Sequence, residues 1–383
     1  MNGIFSLAWF YWDPSREIFR IPIIDRPLGW YGLCFVLGFI LGYFVIIPIF
    51  RRKLLETKNL LPRDIKSWPL LAKDFKAAQS SHSPTLLALY QRLSPEAKKQ
   101  LTQLQLMQEP DCQLKAALLQ ALNDPKKTFS RNELEMLLPQ SILPLKEICT
   151  HLADRLTWFV TLGTLIGARL GEVFFYDWPH YRNNLLDIFK IWEGGLASHG
   201  GTLGIIIAIV LFRKSIQKNF PEFTFLTILD CLCIPTALGC GFIRIGNFFN
   251  QEIVGTPTDV PWAIIFGHPV FGKSPVPRHP VQLYEAAAYF TIFVIFYCLW
   301  KFQGKKLKEG FLIGSFLIVT FTSRFLLEFF KLPLSAMFDE SYLQTGQYLS
   351  VPFILGGISI LLYAYQKPQH LQANLPPAPK SYP

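Results

Sequence analysis

Long apolar runs separated by short polar intervals organise most of the chain. Seven stretches, near residues 30–50, 157–178, 199–213, 224–248, 281–300, 309–331 and 347–365, contain almost only apolar residues. A helix needs roughly 17–25 such residues to cross the hydrocarbon core of a bilayer. The third run is short and its limits are loose by several residues. Trp30, Trp158, Trp178 and Trp300 stand at or near the ends of runs, where amphipathic rings favour the membrane interface. The pattern predicts an all-α integral membrane protein with about seven transmembrane helices and short external segments.

One interval breaks this rhythm. Residues 52–155 are polar and carry helix-start signals instead of a span. Ser83-Pro84 and Ser94-Pro95 each put a capping hydroxyl before a proline at the first helical position. Ser130-Arg131-Asn132-Glu133 reads as a capping box leading into Leu134, Met136, Leu137 and Leu138. Three or four amphipathic helices are expected here, without assigned chemistry. At the N-terminus, Ile18 to Ile24 reads as a short extended stretch. Residues 1–29 lack the basic start and uninterrupted apolar core of a cleaved signal, because Asp13, Arg16, Glu17 and Arg20 intervene. The proline-rich tail from Lys367 is expected to be disordered.

Composition agrees with a bilayer: 51% of the 383 residues are hydrophobic and only 17% charged. Soluble domains carry about 25% charged residues. A net charge of +10 could suggest nucleic acid, but the basic residues fall on alternate loops. Arg51-Arg52-Lys53, then Arg213, Lys214 and Lys218, then Lys301, Lys305, Lys306 and Lys308 form the positive-inside pattern beside anionic lipid. No nucleic-acid partner is implied; membrane lipids are. The N-terminus is expected outside and the C-terminus inside, with the 52–155 segment as a cytoplasmic insertion. The expected organisation is an external segment with the first span (1–50), the insertion (51–155), a six-span membrane domain (156–366) and a cytoplasmic tail (367–383). Cys231-Leu232-Cys233 has no second pair at zinc spacing, so packing is the better reading than metal.

Ionisable groups inside spans are expensive, and each marks a functional hypothesis. Arg244 lies late in the fourth run, with Asn247 and Glu252 after it. Arg324 and Glu328 lie late in the sixth, four residues apart on one helical face. Glu285 is early in the fifth, His199 and Tyr31 open the third and first, and Arg169 is past the middle of the second. With the topology above, all fall in the outer half of the membrane. Two arginines on one polar cavity suit a phosphate, since guanidinium offers its oxygens a planar fork. Gly200, Gly201, Gly204 and Gly246 stand where close backbone approach would be needed.

Blander explanations compete. Arg324 and Glu328 could form an intrahelical ion pair that only neutralises itself. His199 alone could be interfacial, and the Gly200/Gly204 spacing suits helix packing. Asp230 reads as structural, and His82, His151 and His370 carry no signal. A transporter or lipid-binding protein with an outer-facing anion site is the alternative class, weakened by the lack of an internal repeat.

Several blocks together resemble the prolipoprotein diacylglyceryl transferase family. They are Trp30-Tyr31-Gly32, Gly167-Ala168-Arg169-Leu170-Gly171 and Trp192-Glu193-Gly194-Gly195-Leu196-Ala197-Ser198-His199-Gly200-Gly201. Arg244-Ile245-Gly246-Asn247-Phe248-Phe249-Asn250-Gln251-Glu252-Ile253-Val254-Gly255 is similar to the family signature. Pro277 to Glu285, Arg324 to Phe330 and Gly346 to Ser350 complete the order. The likeness spans 18–50 and 157–365. Departures include Ile243 and Gln251 at usual glycines, Val254 at a usual aromatic, Glu172 at a usual uncharged position and Lys331 at a usual arginine. A degenerate, inactive relative is disfavoured because the polar positions are retained.

The resemblance implies transfer of a diacylglyceryl group from phosphatidylglycerol to the lipobox cysteine of a prolipoprotein signal peptide, in the bacterial cytoplasmic (inner) membrane. A thioether forms, glycerol phosphate leaves, and no cofactor or metal is needed. It makes the six-span domain catalytic. His199 would take the thiol proton, with Tyr31 as partner or rival. Arg244 and Arg324 would stabilise the leaving phosphate. Asn247, Glu252, Gly255, Glu285, Glu328 and Arg169 would bind or orient substrate.

Overall fold

The computed structural model describes residues 9–21, 26–56, 59–105, 108–124, 129–190, 195, 197–270, 274–332 and 343–366. Trp192, Glu193, Gly194 and Leu196, part of the 18–24 stretch and the proline-rich tail lie outside the described residues. The helices are α1 (Trp30–Glu56), α2 (Trp68–Ala78), α3 (Pro84–Gln91), α4 (Pro95–Gln103), α5 (Cys112–Leu122), α6 (Arg131–Leu137), α7 (Leu145–Phe175) and α8 (Trp178–Tyr181). They continue with α9 (Ser198–Ile216), α10 (Phe225–Phe249), α11 (Val281–Gln303), α12 (Phe311–Leu327) and α13 (Thr345–Gln366). Short strands are β1 (Phe10–Trp12), β2 (Glu17–Ile21), β3 (Arg26–Gly29), β4 (Ile264–Phe266) and β5 (Pro277–Arg278).

Among the described residues, seven helices are long and apolar enough to span a membrane: α1, α7, α9, α10, α11, α13, and α12 with its following turn. Each matches one expected run. The differences are at the ends. α1 continues to Glu56 and α7 starts at Leu145 rather than near 157. A helix need not stop where the hydrocarbon does. Lys146, Glu147, Asp154 and Arg155 exclude the first turns of α7 from lipid, yet Leu145, Ile148, Leu152 and Leu156 give them a buried stripe.

By internal contacts the chain divides into two units, 1–46 with 223–371, and 47–222 with 372–383. The boundary therefore runs through α1 and groups α7 and α9 with the insertion. The expected cut at 155/156 followed polarity instead.

In the first unit, α10 packs on α11 and α12 on α13. Gly38 lets α1 approach α10 at Gly239 and Phe242, where a Cβ would meet atoms at 3.2 Å. Asp230, read as structural, caps α12 from a neighbouring helix. Its carboxylate accepts from Gly310 N at 2.6 Å and Ile313 N at 2.8 Å, and Gly310 has φ +89°. β1 pairs parallel with β4, β5 pairs antiparallel with β4, and β2 pairs with β3. Trp12 stacks on Phe248 at 4.6 Å and Trp30 on Phe249 at 4.7 Å, which anchors the N-terminal segment to the end of α10.

In the second unit the described residues of the insertion form five short helices, α2–α6, around a core of Leu71, Phe75, Leu89, Leu114, Leu118 and Ile142. The Ser94 cap and the Ser130–Glu133 capping box form as expected, whereas Ser83 caps without a side-chain bond and Met136 is exposed. α7 and α9 pack through glycine. A Cβ on Gly171 would lie 2.7 Å from Gly200 Cα, and one on Gly167 2.7 Å from Gly204 Cα. The packing reading of Gly200 and Gly204 therefore holds. The outer seam of this pair is an apolar groove of about 540 Å³ lined by Trp158, Leu162, Ile166, Leu170, Leu203 and Ile207.

Candidate functional site

Eight of the candidate site residues named from the sequence lie in the first unit. Arg244 and Asn247 are three apart on α10, so they share a face. Arg244 Nη1 donates to Asn247 Oδ1 at 3.1 Å, and its Nε lies 3.1 Å from Glu285 Oε2. The turn after α10 then folds back. Gln251 and Ile253 adopt φ of +56° and +54°, a left-handed conformation costing about 1–3 kcal/mol for non-glycine residues. The reversal carries Glu252 over Asn247: Glu252 N donates to Asn247 O at 2.9 Å, and Asn247 Nδ2 to Glu252 Oε2 at 2.9 Å. Asn250 Nδ2 donates to the other oxygen at 2.9 Å.

The Gln251 side chain is built into the surroundings. Its Nε2 donates to Asp13 Oδ1 at 2.9 Å, and its Oε1 accepts from His268 N at 2.8 Å. His268 Nδ1 lies 2.8 Å from the Asp13 carboxylate. Hydrogen bonds from His268 and Gln251 hold the Asp13 carboxyl below its usual range.

A row of alternating charges crosses three elements. Glu285 on α11 is fully buried, with one oxygen near Arg244 and the other 2.9 Å from Lys331 Nζ. Both contacts are ion pairs by distance without the alignment of hydrogen bonds. Lys331 Nζ also donates to Glu328 Oε2 at 2.9 Å. Glu328 lies flush against Gly346, where any Cβ would collide with its carboxylate. Signs alternate along Arg244, Glu285, Lys331 and Glu328, so the row is internally neutral. That is the condition for keeping such charges buried.

Arg324 stands apart. Among the described residues no carboxylate lies within ion-pair distance of it, and its Nε is buried without a hydrogen-bond partner. The intrahelical pair with Glu328 is not formed.

Tyr31 opens α1 against Gly246, where a Cβ would sit 3.0 Å from its Cδ2. Glu252 and Arg244 are the charges acting on its hydroxyl. Gly255 is equally confined, since a Cβ there would lie 2.8 Å from His279 Cβ. Its carbonyl accepts from Arg278 Nη1 at 3.3 Å and its N–H donates to His279 O at 3.2 Å. Burial lowers the pKa of both Arg278 and His279.

Arg169 and His199 belong to the second unit. The Arg169 guanidinium donates to the carbonyls of Ile188 at 2.9 Å, Gly195 at 3.1 Å and Lys190 at 3.2 Å, and to Asp187 O. Its face lies 5.0 Å from the Tyr181 ring. Among the described residues, the fork expected to touch a head group donates to backbone carbonyls of the segment before α9, and the side chain is buried. That segment leads into α9, whose start is pinned by Ala197 N donating to Ala168 O at 2.9 Å. His199 is the second residue of α9 and is exposed.

Lys331, Gln282 and Arg278 escaped the sequence reading as site residues. Gln282 is fully buried and donates to Glu252 O at 2.6 Å. Its position three residues before Glu285 was the available signal. For Lys331 the signal was a second cation, three residues after Glu328. Among the described residues, no group of three or more His, Cys, Asp or Glu side chains could hold a metal ion.

Comparisons with known proteins point to one family. The sequence profile of the prolipoprotein diacylglyceryl transferase family matches residues 136–363. The chain is 46% identical over 357 residues to a phosphatidylglycerol–prolipoprotein diacylglyceryl transferase of Protochlamydia amoebophila, covering 93% of this chain and 95% of the relative. A protein of the same name from Tolumonas auensis is 46% identical over 213 residues, 56% of this chain and 79% of its own. One from Chloroherpeton thalassium is 42% identical over 215 residues, 56% and 77% respectively. At 93% coverage the first alignment runs through most of the 52–155 insertion.

Proposed function

The chain belongs to the prolipoprotein diacylglyceryl transferase family, and from that premise we propose how its buried charges share the reaction. It is a membrane transferase of the first step of lipoprotein maturation, a multi-pass protein of the bacterial inner membrane acting on phosphatidylglycerol and a prolipoprotein. The transporter alternative has no support among its relatives.

The acceptor is the thiol of the lipobox cysteine. Its sulfur bonds to the glyceryl carbon that carries the phosphate. The carbon–oxygen bond to phosphate breaks, and glycerol phosphate leaves with the electron pair. A thiol of pKa about 8.5 is a poor nucleophile until it loses its proton. His199 takes that proton, with Tyr31 as its partner or rival. Arg244 and Arg324 stabilise the charge on the departing phosphate. Asn247 positions phosphate or glycerol oxygens. Glu252, held by two amides, and Gly255 shape the glycerol end, while Glu285 and Glu328 fix the cations. Arg169 acts through the backbone it holds, setting the approach to α9. The N-terminus is external and the C-terminus cytoplasmic, because the basic residues close α1, α9 and α11 at one end.

One observation carries this reading: among the described residues Arg324 has no carboxylate within ion-pair distance and its Nε is buried without a partner, beside a row in which every other charge is matched. An anionic ligand is what such a group lacks. The test is to incubate purified protein with labelled phosphatidylglycerol and a lipobox peptide and to follow lipid on the cysteine. Arg244→Lys or Arg324→Lys should slow transfer by roughly 10²–10³-fold, because a point charge cannot reproduce the fork. Near-normal turnover in the Arg324→Leu, Glu328→Leu double variant would remove the phosphate role from Arg324.

A further inference from the structure

Arg324 and Glu328 are four residues apart, the spacing at which opposite charges pair along a helix. In a low-dielectric setting that attraction is strong. Something therefore has to draw Glu328 away. α12 ends at Leu327 and tightens into a 3-10 turn over Glu328–Phe330. Lys331 closes this turn, its N–H donating to Glu328 O at 3.0 Å.

Its backbone is held independently of its side chain. Leu332 N donates to Val254 O at 3.3 Å and Thr256 N to Phe330 O at 2.8 Å, so residues 330–332 lie against 254–256. From this anchor the ammonium reaches both Glu328 and Glu285 at 2.9 Å. Gly346 leaves room for the Glu328 carboxylate on its other side.

We propose that Lys331 is a positioning residue that keeps Arg324 open to the anionic lipid head group by occupying Glu328. The inference rests on the assignment of Arg324 to the lipid phosphate. A lysine suits the task because its three rotatable donors can serve two carboxylates at once. Without it, Glu285 retains Arg244, but Glu328 becomes a buried, unpaired charge. The cation at helical spacing from it is Arg324. Closing that pair satisfies both groups and takes the guanidinium from the substrate.

The test compares apparent KM for phosphatidylglycerol in mixed micelles with KM for the lipobox peptide. Lys331→Met should raise the lipid KM by about tenfold or more while the peptide KM stays within about threefold. Lys331→Arg keeps a cation and should remain within about threefold of the parent on both. Neutralising the competitor should undo the defect, so Lys331→Met with Glu328→Gln should match Glu328→Gln alone. An unchanged lipid KM in Lys331→Met overturns the proposal, as does a double variant no better than the single one. If Lys331→Met does not insert as a monodisperse protein, the double variant against Glu328→Gln decides alone. One shared lipid KM supports the proposal, and a KM about tenfold higher in the double variant overturns it. Arg324→Met in the same assay separates the premise from the inference. An unchanged lipid KM there removes the phosphate role itself. A raised KM there, without recovery in the double variant, removes only the role of Lys331.

Discussion

Arg244 and Arg169 are both mostly buried arginines on membrane-spanning helices, and the two units use them in opposite ways. In the first unit Arg244 meets side chains, Glu285 and Asn247, which belong to a longer row of charges. In the second unit, among the described residues, Arg169 meets four backbone carbonyls and one aromatic face. A guanidinium spent on backbone fixes the course of a segment. One held among carboxylates and amides can exchange part of its coordination for a phosphate. Burial of an arginine within a membrane thus marks importance, and its partners distinguish binding from bracing.

The contrast can be broken most sharply at His199, the one proton acceptor assigned to the second unit. His199→Gln keeps a hydrogen-bonding side chain but cannot take the thiol proton, so transfer should fall by roughly 10²–10⁴-fold. The deficit should shrink as pH rises toward the thiol pKa of about 8.5, where thiolate forms unaided. A deficit equally deep at pH 9 would make His199 a bracing residue like Arg169.

Arg169→Met comes next. It strips donors from the carbonyls of Asp187, Ile188, Lys190 and Gly195 and should lower stability by about 3 kcal/mol. Thermal unfolding in detergent measures this. The lipid KM should stay near that of the parent, whereas an increase matching that of an Arg324 variant would return Arg169 to the head group.

Gly200→Ala is milder. Its Cβ would press on the backbone of Gly171, 2.7 Å from the Cα, so α7 and α9 must separate. A loss of about 1–3 kcal/mol is expected. An unchanged melting temperature would show that this glycine seam is not a tight contact.

The smallest effect belongs to the N-terminal segment. The Asp13 carboxyl is held below its usual value chiefly by His268. A depressed carboxylate stabilises above its unfolded pKa of about 3.9, and that contribution is lost as pH falls through the lower folded value. Hydrogen exchange at Trp12 should therefore stay slow at neutral pH and quicken only below about pH 4. Asp13→Asn should remove most of that acid dependence. Acid quickening that persists in this variant would place the anchor elsewhere, in the stacking of Trp12 on Phe248.

Much of the architecture was legible in the linear pattern. Spans were found because a bilayer imposes a local requirement, a minimum length of apolar residues, and each stretch meets it independently of the others. The capping box at Ser130 and the cap at Ser94 were legible for the same reason, since donor and acceptor are three residues apart. Helix ends were less so: α7 begins well before its apolar run because helical hydrogen bonding continues into water. The insertion showed its helices but not their number.

Which residues carry charge inside the membrane was also plain in the sequence, because any ionised side chain stands out in an apolar run. Their partners were not. Helical spacing offered Glu328 to Arg324, and the chain instead delivers it to Lys331, through a tightened turn and a backbone pairing with residues 254–256. Glu285 joins from α11 and Arg244 from α10, at sequence separations no periodicity reports. Electrostatic energy depends on distance in space. Where several elements compete for one carboxylate, the packing of α10, α11 and the end of α12 sets the outcome and, among the described residues, leaves Arg324 without one.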